Sequence, residues 1–550
     1  MRHGGKILID QLERQGVTTA FTVPGESFLA ALDGLYDSNQ IKTIICRQEG
    51  GCSMMAEAWG KATGEPGVCF VTRGPGAANA MAGLHVAKQD STPMVLFLGM
   101  PASETEEREA FQEVEVKQLF SSFVKWAAVI RDRRRIPEFV SRAFHTAKSG
   151  RPGPVVLGLP EDMLSEASDA VIDAKPARLP RAEPARADMA ELAEKLKTAK
   201  RPLFVIGGPG WSKTAQKGIE AFAQRWDMPV AAAFRFQDYM DNRHANYVGC
   251  VGIGVEAKLG DAVKNADVLV VVGARMGEAT SSNYTLLEIP NPKQYFVHVH
   301  PSPDELGSVY RADLPIVANG AAFVEALAAL EPPASKPWSS ARAELRATYE
   351  ASLKPIPLPG DVKFAEIIRT VSQLLPEDGI VTNGAGNFAA FLHRYFEYKG
   401  YRNGLAPTSG SMGYGLPAAI AAQLSAPGIP VVNVQGDGDF MMVSQELATV
   451  MQYGLPIITI VANNGTFGTI RMHQEREYPG RVVGTTLMNP DFAAMARSFG
   501  MEGVTVEATA DFAPAFKAAL ASRKATLIEV KLDPEALAVK KTLTDIREKR

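Results

Sequence analysis

Short apolar runs rich in valine and isoleucine alternate with segments of helical periodicity along the whole chain. The first third contains VTTAFTV, IKTIIC, GVCFVT and PMVLFLG, the middle PLFVIGG, ADVLVVVG and QYFVHV, and the last third DGIVTN, PVVNVQ, PIITIVA and ATLIEV. Such uninterrupted runs are typical of strands buried on both faces of a parallel sheet. The alternation therefore predicts an α/β fold with three doubly wound domains, each built on a mainly parallel sheet.

Two segments rich in proline, alanine and charge interrupt this alternation, at residues 171–188 and 331–361. Such composition is typical of linkers between domains. The pieces that remain have the usual size of a domain. The predicted domains are 1–170, 189–330 and 362–535, followed by a charged C-terminal tail over 536–550.

Composition limits the classes of protein and partner. At 550 residues with 46% hydrophobic residues, the chain can form several cores. A formal net charge of −3 argues against a nucleic-acid partner held by bulk charge. We find neither a signal peptide nor an apolar run long enough to cross a membrane. The four cysteines, Cys46, Cys52, Cys69 and Cys250, lack metal-type spacing, which predicts reduced thiols in a cytoplasmic protein.

The segment VVNVQGDGDFMM, residues 431–442, places a carboxylate directly after a predicted buried strand. Gly436 and Gly438 remove the side chains on both sides of Asp437, as is common where a ligand approaches the backbone. A lone carboxylate in such a place suits a hard cation. A tight strand-to-helix turn with a solvated aspartate is the alternative.

A second predicted strand, LPIITIVA, ends in Asn464-Gly465, and 464 − 437 gives a separation of 27 residues. That span fits a strand end, a crossover helix and a returning parallel strand, so both ends would share one crevice. Asp437, the Asn464 amide oxygen and a carbonyl near Thr466 could then bind Mg²⁺. Two independent turns are the alternative, because Asn-Gly is a common turn dipeptide.

The GDG triplet, 24 intervening residues and the NN pair resemble the thiamine-diphosphate-binding signature of the superfamily of acetolactate synthase, pyruvate oxidase and benzoylformate decarboxylase. Residues 47–95 resemble the core of that superfamily's pyrimidine-binding domain, and GRPGPVVLGLP resembles the end of the same domain. GSMGYGLPAAIAA, residues 410–422, resembles the start of its diphosphate-binding domain. The resemblance thus covers nearly the whole chain and is strongest to acetolactate synthase large subunits.

By this resemblance Glu49 is the catalytic glutamate that hydrogen-bonds N1′ of the aminopyrimidine, although a helix N-terminal glutamate is the structural alternative. Met412, otherwise a core residue, is the apolar wedge that bends the cofactor, and Gly410 offers its carbonyl to the 4′-amino group. Backbone N–H groups at helix starts would bind the diphosphate. The remaining cofactor contacts implied are Pro24, Thr72, Asn79, Asn387, Phe388, Gly436, Gly438, Asp439, Gly468 and Thr469.

The segment EREAFQEVEVKQLF is similar to the acetolactate synthase segment in which Phe and Gln border the reacting carbon, and Gln112 is the residue with a catalytic role there. His473 stands where the synthases carry a tryptophan that selects the acceptor, and a surface histidine is the alternative reading. The substrate pocket implied by the resemblance comprises Gly25, Ser27, Phe111, Gln112, Phe467, Arg471 and His473.

The middle segment departs from the flavin-binding pattern of the synthases. Arg275 matches, but Gly277, Glu278 and Ala279 replace the rest of the motif, and Val251 replaces an expected histidine. FAD is therefore possible but not favoured as a cofactor.

The resemblance implies a thiamine-diphosphate- and Mg²⁺-dependent enzyme that decarboxylates a 2-oxo acid and ligates the product to a carbonyl acceptor. A non-ligating 2-oxo-acid decarboxylase or lyase is the alternative within enzymes, and a non-catalytic cofactor sensor is the alternative outside them. Family members combine Glu49 and Asp437 equivalents from different subunits, so we expect a homodimer or homotetramer.

Overall fold

The computed structural model describes residues 1–168 and 173–549. The predicted domain end at 170, the first linker residues at 171 and 172, and the last tail residue, 550, lie outside the described residues. The described chain contains three six-stranded sheets in which all neighbouring strands are parallel. The predicted α/β class with three parallel-sheet domains is confirmed.

The first sheet has the strand order β3-β2-β4-β5-β7-β6. The chain adds β3 on one side of β2 and then crosses over to add β4 and β5 on the other side, which is the doubly wound pattern. In such sheets the ligand crevice lies beyond the carboxyl ends of the strands. A two-residue antiparallel pair, β1 and β8, joins the ends of this domain. The strands are β1 (Arg2–His3), β2 (Thr19–Thr22), β3 (Lys42–Ile45), β4 (Gly67–Thr72), β5 (Met94–Met100), β6 (Trp126–Val129), β7 (Pro154–Pro160) and β8 (Ala167–Ser168). The helices are α1 (Gly4–Arg14), α2 (Leu29–Asp37), α3 (Glu49–Thr63), α4 (Arg73–Asp90), α5 (Val116–Phe120), α6 (Ile136–Lys148) and α7 (Glu161–Ser165).

The middle sheet has the order β11-β10-β9-β12-β13-β14. Its strands are β9 (Pro202–Ile206), β10 (Val230–Ala232), β11 (Tyr247–Cys250), β12 (Val268–Val272), β13 (Tyr295–His300) and β14 (Leu314–Val317). Its helices are α8 (Arg186–Thr198), α9 (Lys213–Trp226), α10 (Ala257–Asn265) and α11 (Gly320–Leu327).

A further helix, α12 (Ser339–Ser352), lies inside the segment 331–361 that composition predicts as a linker. It packs on β11, where the rings of Tyr349 and Tyr247 lie 5.1 Å apart. The indole of Trp338 precedes it and donates to the carbonyls of Trp226 and Asp227 at 3.2 and 3.0 Å. Aromatic contacts thus fix a segment whose proline and charge content gave no sign of a helix.

The third sheet has the order β16-β15-β17-β18-β20-β19, so β17 and β18 are neighbours as the crossover argument requires. Its strands are β15 (Ile380–Asn383), β16 (Gly404–Leu405), β17 (Val431–Gly436), β18 (Ile458–Asn463), β19 (Glu502–Val506) and β20 (Thr526–Lys531). Its helices are α13 (Phe364–Leu374), α14 (Asn387–Tyr395), α15 (Gly415–Ser425), α16 (Asp437–Met441), α17 (Leu447–Gln452), α18 (Gly468–Glu477), α19 (Phe492–Ser498) and α20 (Thr509–Ser522).

The C-terminal tail contains a short helix, α21 (Leu543–Arg547), that packs on α18. Thr542 caps its first turn. Arg547 donates from Nε and Nη2 to the two carboxylate oxygens of Glu475, at 2.9 and 3.1 Å. Arg547, one of the charged residues of the tail, therefore forms a specific ion pair with the third domain.

The first and third domains of one chain share a continuous apolar core. Helices α3 and α15 pack against each other, and residues such as Phe21 and Met55 belong to the same buried cluster as Leu416 and Phe440. The buried face of α15 carries four alanines, and small side chains let helices approach closely. Among the described residues, no helix is both long and apolar enough to cross a membrane.

Candidate active site

A cavity of about 230 Å³ lies at the carboxyl ends of β15, β17 and β18. This is the position at which open parallel sheets bind ligands. The cavity collects residues that the sequence predicts for cofactor, metal and substrate binding from four separate stretches of the third domain. These lining residues are Asn387, Phe388, Gly410, Met412, Gly436, Asp437, Gly438, Asp439, Asn464, Thr466, Phe467, Gly468 and Thr469.

Asp437 is the first residue of α16 and is almost fully buried. Its carboxylate accepts from the N–H groups of Gly438 at 2.9 Å and Gly465 at 2.8 Å, and from Asn489 Nδ2 at 2.8 Å. Burial raises the pKa of Asp437 despite these donors. No basic side chain is paired with this carboxylate in the described part of the chain. A buried, unneutralised carboxylate at a cavity wall is suited to a cation.

The turn after β18 connects Asn464 to this carboxylate. Asn464 Oδ1 accepts from the N–H of Thr466 at 3.1 Å, and the intervening Gly465 donates to Asp437. Within residues 1–168 and 173–549, no cluster of three or more His, Cys, Asp or Glu side chains could hold a metal. Any ion here would therefore depend on one carboxylate together with amide and carbonyl oxygens, a donor set that suits Mg²⁺.

Asn489 is a supporting residue that sequence reasoning missed. Its Nδ2 donates to Asp437 at 2.8 Å and to Asn463 Oδ1 at 2.9 Å, so it joins the ends of β17 and β18. It lies 52 residues beyond Asp437 in a stretch without regular secondary structure. No local motif marked it.

The Asp439 side chain supports the loop that carries Met412. It accepts from the N–H of Gly413 at 2.7 Å, from Gln435 Nε2 at 2.8 Å and from the N–H of Ala385 at 3.3 Å. Burial raises the pKa of Asp439 to about 6. The resemblance implies that Asp439 contacts the cofactor, and in the structure its carboxylate also joins the loops at Ala385 and Gly413 to Gln435 of β17.

Helices α14 and α18 both begin at the cavity, at Asn387 and Gly468. Thr469 Oγ1 donates to Asn387 Oδ1 at 3.0 Å, which ties the two helix starts together. The first N–H groups of a helix lack intrahelical acceptors and carry partial positive charge, so they attract phosphate oxygens. These two helix starts fit a diphosphate beside the Asp437 carboxylate.

Two phenylalanines lie against the glycines of the GDG triplet. A Cβ at Gly436 would meet the ring of Phe388 at 2.8 Å, and a Cβ at Gly438 would meet the ring of Phe467 at 2.4 Å. Any side chain at either glycine would therefore displace an aromatic wall of the cavity. Gly410 has φ +70°, and no atom lies within 4 Å of where its Cβ would be.

Glu49, the first residue of α3, does not line this cavity. Its Oε2 accepts from Asn79 Nδ2 at 2.9 Å. The buried Glu446 of the third domain accepts from the N–H groups of Arg47 and Gln48 at 3.0 and 3.1 Å. Glu446, which sequence reasoning also missed, thus fixes the turn that leads into Glu49.

A second group of predicted residues gathers at the carboxyl ends of β2 and β4. The hydroxyls of Ser27 and Thr72 are 2.6 Å apart, and a Cβ at Gly25, next to Pro24, would meet Thr72 at 2.3 Å. Gln112 has φ 61°, and its carbonyl accepts from Gly74 at 2.8 Å. Phe111 is 69% exposed. Cofactor and substrate residues predicted in the first domain therefore lie together, apart from the cavity of the third.

Two predicted pocket residues of α18 lie outside the cavity lining. His473 is exposed and contacts Arg476, and Arg471 donates to the buried Glu475 from Nη2 at 2.8 Å. Their assignment to the substrate pocket stays a prediction.

Two further cavities, of about 750 and 430 Å³, lie where the middle domain faces the first domain. Arg275, Gly277, Glu278 and Ala279 line the smaller one, whereas Val251 is buried in the middle core. Arg275 Nε donates to Glu305 at 3.0 Å. That FAD is possible but not favoured stays a prediction.

The chain is similar to known protein families and to curated proteins over most of its length. The N-terminal, central and C-terminal domain models of thiamine pyrophosphate enzymes match residues 2–119, 189–327 and 384–530. The acetolactate synthase large subunit of Parasynechococcus marenigrum is 32% identical over 96% of this chain and 87% of its own. The probable acetolactate synthase large subunit of Methanocaldococcus jannaschii is 30% identical, over 97% and 93%. Acetolactate synthase isozyme 2 large subunit of Escherichia coli is 29% identical, over 96% of each. The chain therefore belongs to the thiamine pyrophosphate enzyme family, in the group that includes the acetolactate synthase large subunits.

Proposed function

We propose that the protein is a thiamine-diphosphate- and Mg²⁺-dependent enzyme that decarboxylates a 2-oxo acid and ligates the resulting acyl unit to a second carbonyl compound. The observation that carries this proposal is the single cavity that joins Asp437, Asn464 and Met412 to two helix N-termini. The acetolactate synthase names of the relatives support the same reaction class.

When bound, thiamine diphosphate supplies the nucleophilic carbon and the electron sink for this chemistry. Asp437, Asn464 and the Thr466 carbonyl would hold Mg²⁺, and the starts of α14 and α18 would bind the diphosphate oxygens. Met412 would hold the ring pair in its bent form from a loop fixed by Asp439. The cavity is lined largely by apolar side chains, which limits water at the reacting carbon.

Glu49 would hydrogen-bond N1′ and exchange a proton with the pyrimidine. Because Glu49 does not line the cavity of its own chain, we infer that a second copy supplies it and that the enzyme is a homodimer or homotetramer. Exposed methionines close in sequence to Asp437 and Asn489 support a partner surface, since Met441, Met442 and Met488 are 42%, 51% and 101% exposed. All four cysteines are unpaired, which supports a cytoplasmic location.

The test is product analysis with purified protein, thiamine diphosphate and Mg²⁺. We expect CO₂ release from pyruvate that requires both cofactors, together with a ligated hydroxy acid. Adding an aldehyde should give a second ligated product. Release of acetaldehyde without any ligated product would instead establish a simple decarboxylase, and no CO₂ release from a panel of 2-oxo acids would overturn the proposed activity.

A further inference from the structure

Arg73, the first residue of α4, occupies a position that is unfavourable for an arginine in three ways. Its φ of 45° lies in the left-handed region, which costs energy for a residue with a side chain. Its positive charge lies at the N-terminus of an 18-residue helix, where the helix dipole favours anions. Its side chain is only 10% exposed. Local choices that conflict with local energetics are characteristic of functional positions.

The charge of Arg73 is weakly satisfied. Nη1 approaches Glu26 at 3.4 Å and the Phe111 carbonyl at 3.4 Å, and Nη2 approaches Glu161 at 3.3 Å. Charge-assisted hydrogen bonds are normally about 2.7–2.9 Å. The buried Nε has no acceptor among the described residues. A buried guanidinium with long contacts and a free donor can accept a further anion.

The surroundings of Arg73 are the predicted substrate residues of the first domain. Thr72 precedes it, Gly74 after it donates to the carbonyl of Gln112, and its guanidinium lies 5.7 Å from the centre of the Phe111 ring. Both acidic neighbours are solvated, since the side chain of Glu26 is 66% exposed and that of Glu161 is 46% exposed. Either can turn toward water when a better partner arrives.

We propose that Arg73 binds the carboxylate of the acceptor 2-oxo acid and thereby selects 2-oxo acids over aldehydes as the second substrate. The carboxylate would take Nε–H and Nη2–H side by side in place of Glu161, as guanidinium–carboxylate pairs commonly do. This inference rests on the proposed ligase function.

The chemistry of ligation favours the acceptor over the donor as the ligand of Arg73. The C–C bond between the donor carbonyl carbon and its carboxylate breaks, CO₂ leaves, and a new bond forms to the acceptor keto carbon, whose oxygen takes a proton. The acceptor carboxylate remains in the product. Tight binding of the donor carboxylate would stabilise the ground state more than the transition state and would slow its loss, whereas binding the acceptor carboxylate carries no such penalty.

The experiment is a competition between two acceptors of equal chain length, 2-oxobutyrate and propanal, with pyruvate as donor and saturating cofactors. We expect Arg73→Met to lower the ratio of 2-oxobutyrate-derived to propanal-derived product by about 10- to 200-fold. CO₂ release with propanal as acceptor should change much less. Arg73→Lys keeps the positive charge but lacks the two parallel N–H donors of the guanidinium, so its product ratio should lie between those of the wild type and Arg73→Met.

Glu161→Gln provides the decisive contrast, because Glu161 competes with the substrate for Arg73. Removing its charge should raise the same ratio about two- to fivefold. If Arg73 merely anchored a salt bridge, Arg73→Met and Glu161→Gln would both act through stability. The product ratio would then stay unchanged in both variants or shift in the same direction in both, and either result would overturn the proposal. Arg369→Met is the control, since Arg369 is also a partly buried arginine that pairs with a glutamate, Glu397, and approaches a carbonyl, that of Tyr395.

The outcomes separate this inference from the proposed function. If the wild-type enzyme ligates both acceptors but Arg73→Met and Arg73→Lys leave the ratio unchanged, the Arg73 assignment fails and the ligase function remains. If the wild-type enzyme releases CO₂ without ligated product, the ligase function fails and Arg73 has no acceptor to select. Thermal unfolding and thiamine diphosphate titration of each variant verify that the fold and cofactor site are intact.

Discussion

Asp437 and Asp439 are the two carboxylates in the wall of the cavity, and their surroundings give them different roles. Asp437 is held by donors from both strand ends and is paired with no cation among the described residues. Asp439 joins the Gly413 loop to the strand ends. At this scale, the proposed metal binding and the loop positioning belong to separate side chains two residues apart.

We expect Asp437→Ala to abolish Mg²⁺-dependent binding of thiamine diphosphate, because it removes the charged metal ligand. Asn464→Ala should weaken binding by about 1–3 kcal/mol, as for a lost polar contact. Calorimetric titration of the cofactor with and without Mg²⁺ measures both. Asp261→Ala, on the exposed face of α10, is the control. Unchanged affinity in Asp437→Ala would mean that the metal site lies elsewhere.

Glu49→Gln and His473→Trp should separate cofactor activation from acceptor choice. Glu49→Gln keeps the contact to Asn79 but cannot exchange a proton with N1′, so every reaction should slow about 10²- to 10⁴-fold. His473→Trp should leave hydrogen exchange at C2 of the thiazolium nearly intact and shift product ratios by roughly 10- to 200-fold. NMR of C2–H/D exchange and acceptor competition measure the two effects. Unaltered ratios in His473→Trp would favour the surface reading that its exposure permits.

The residues that sequence analysis predicted, and those it missed, differ in where their partners lie. Asp437 and Asn464 follow strand ends, so a pattern of strands and glycines was enough to bring them to one crevice, whereas Gly468 was assigned through the family resemblance. Asn489 and Glu446 act on strand ends or turns far away in sequence, at separations of 52 and 399 residues. Such contacts depend on the packing of whole domains, which hydrophobic periodicity does not encode.

At the scale of elements, the loop 406–414 that carries Gly410 and Met412 is held by a buried charge cluster from the first domain. Lys61 of α3 contacts Asp90 of α4 at 2.5 Å and the Ala406 carbonyl at 3.0 Å. Asp90 also accepts from the N–H and hydroxyl of Thr408, at 3.0 and 2.5 Å. The hydroxyl of Tyr414 donates to Glu57. Two helices of the first domain thus position a loop of the third domain.

We expect Lys61→Met to destabilise the fold by about 3–5 kcal/mol, since it leaves two buried carboxylates without their cation. Burial raises the pKa of Glu57, so the folded state binds that proton more tightly than the unfolded state. The variant should therefore be least destabilised at low pH and should lose stability as the pH rises through the folded-state pKa of Glu57. Urea unfolding at a series of pH values measures this loss. The affinity for thiamine diphosphate should also fall, because the loop 406–414 is no longer held in place.

The control is Lys197→Met, which removes a lysine from an exposed i,i+3 ion pair on α8 and should cost less than about 1 kcal/mol at every pH. A pH-independent loss in Lys61→Met would show that the cluster acts through packing rather than through its charges.

At the scale of the whole molecule, the predicted cofactor residues of one chain form two separate groups. The cavity with Asp437 and the group around Glu49 are both present in one chain, yet Glu49 does not line that cavity. The shared core of the first and third domains fixes this separation, because α3 and α15 pack as one body. The shared core thus opposes any movement within one chain that would bring Glu49 to the cavity, which supports the proposal that a second copy supplies the missing half.

This arrangement predicts complementation between two inactive variants. Glu49→Gln and Asp437→Ala should each lack activity alone. In a hybrid dimer, one active site combines both substitutions, and the other combines the intact Glu49 of one chain with the intact Asp437 of its partner. Co-expressed chains that pair at random would then recover about a quarter of wild-type activity, since half of the dimers are hybrids with one native site of two. Hybrids isolated through two different affinity tags should reach about half of wild-type activity per dimer. Activity no higher than the sum of the two parent variants would place Glu49 and Asp437 of the same chain in one site, because every site in a hybrid would then carry one substitution.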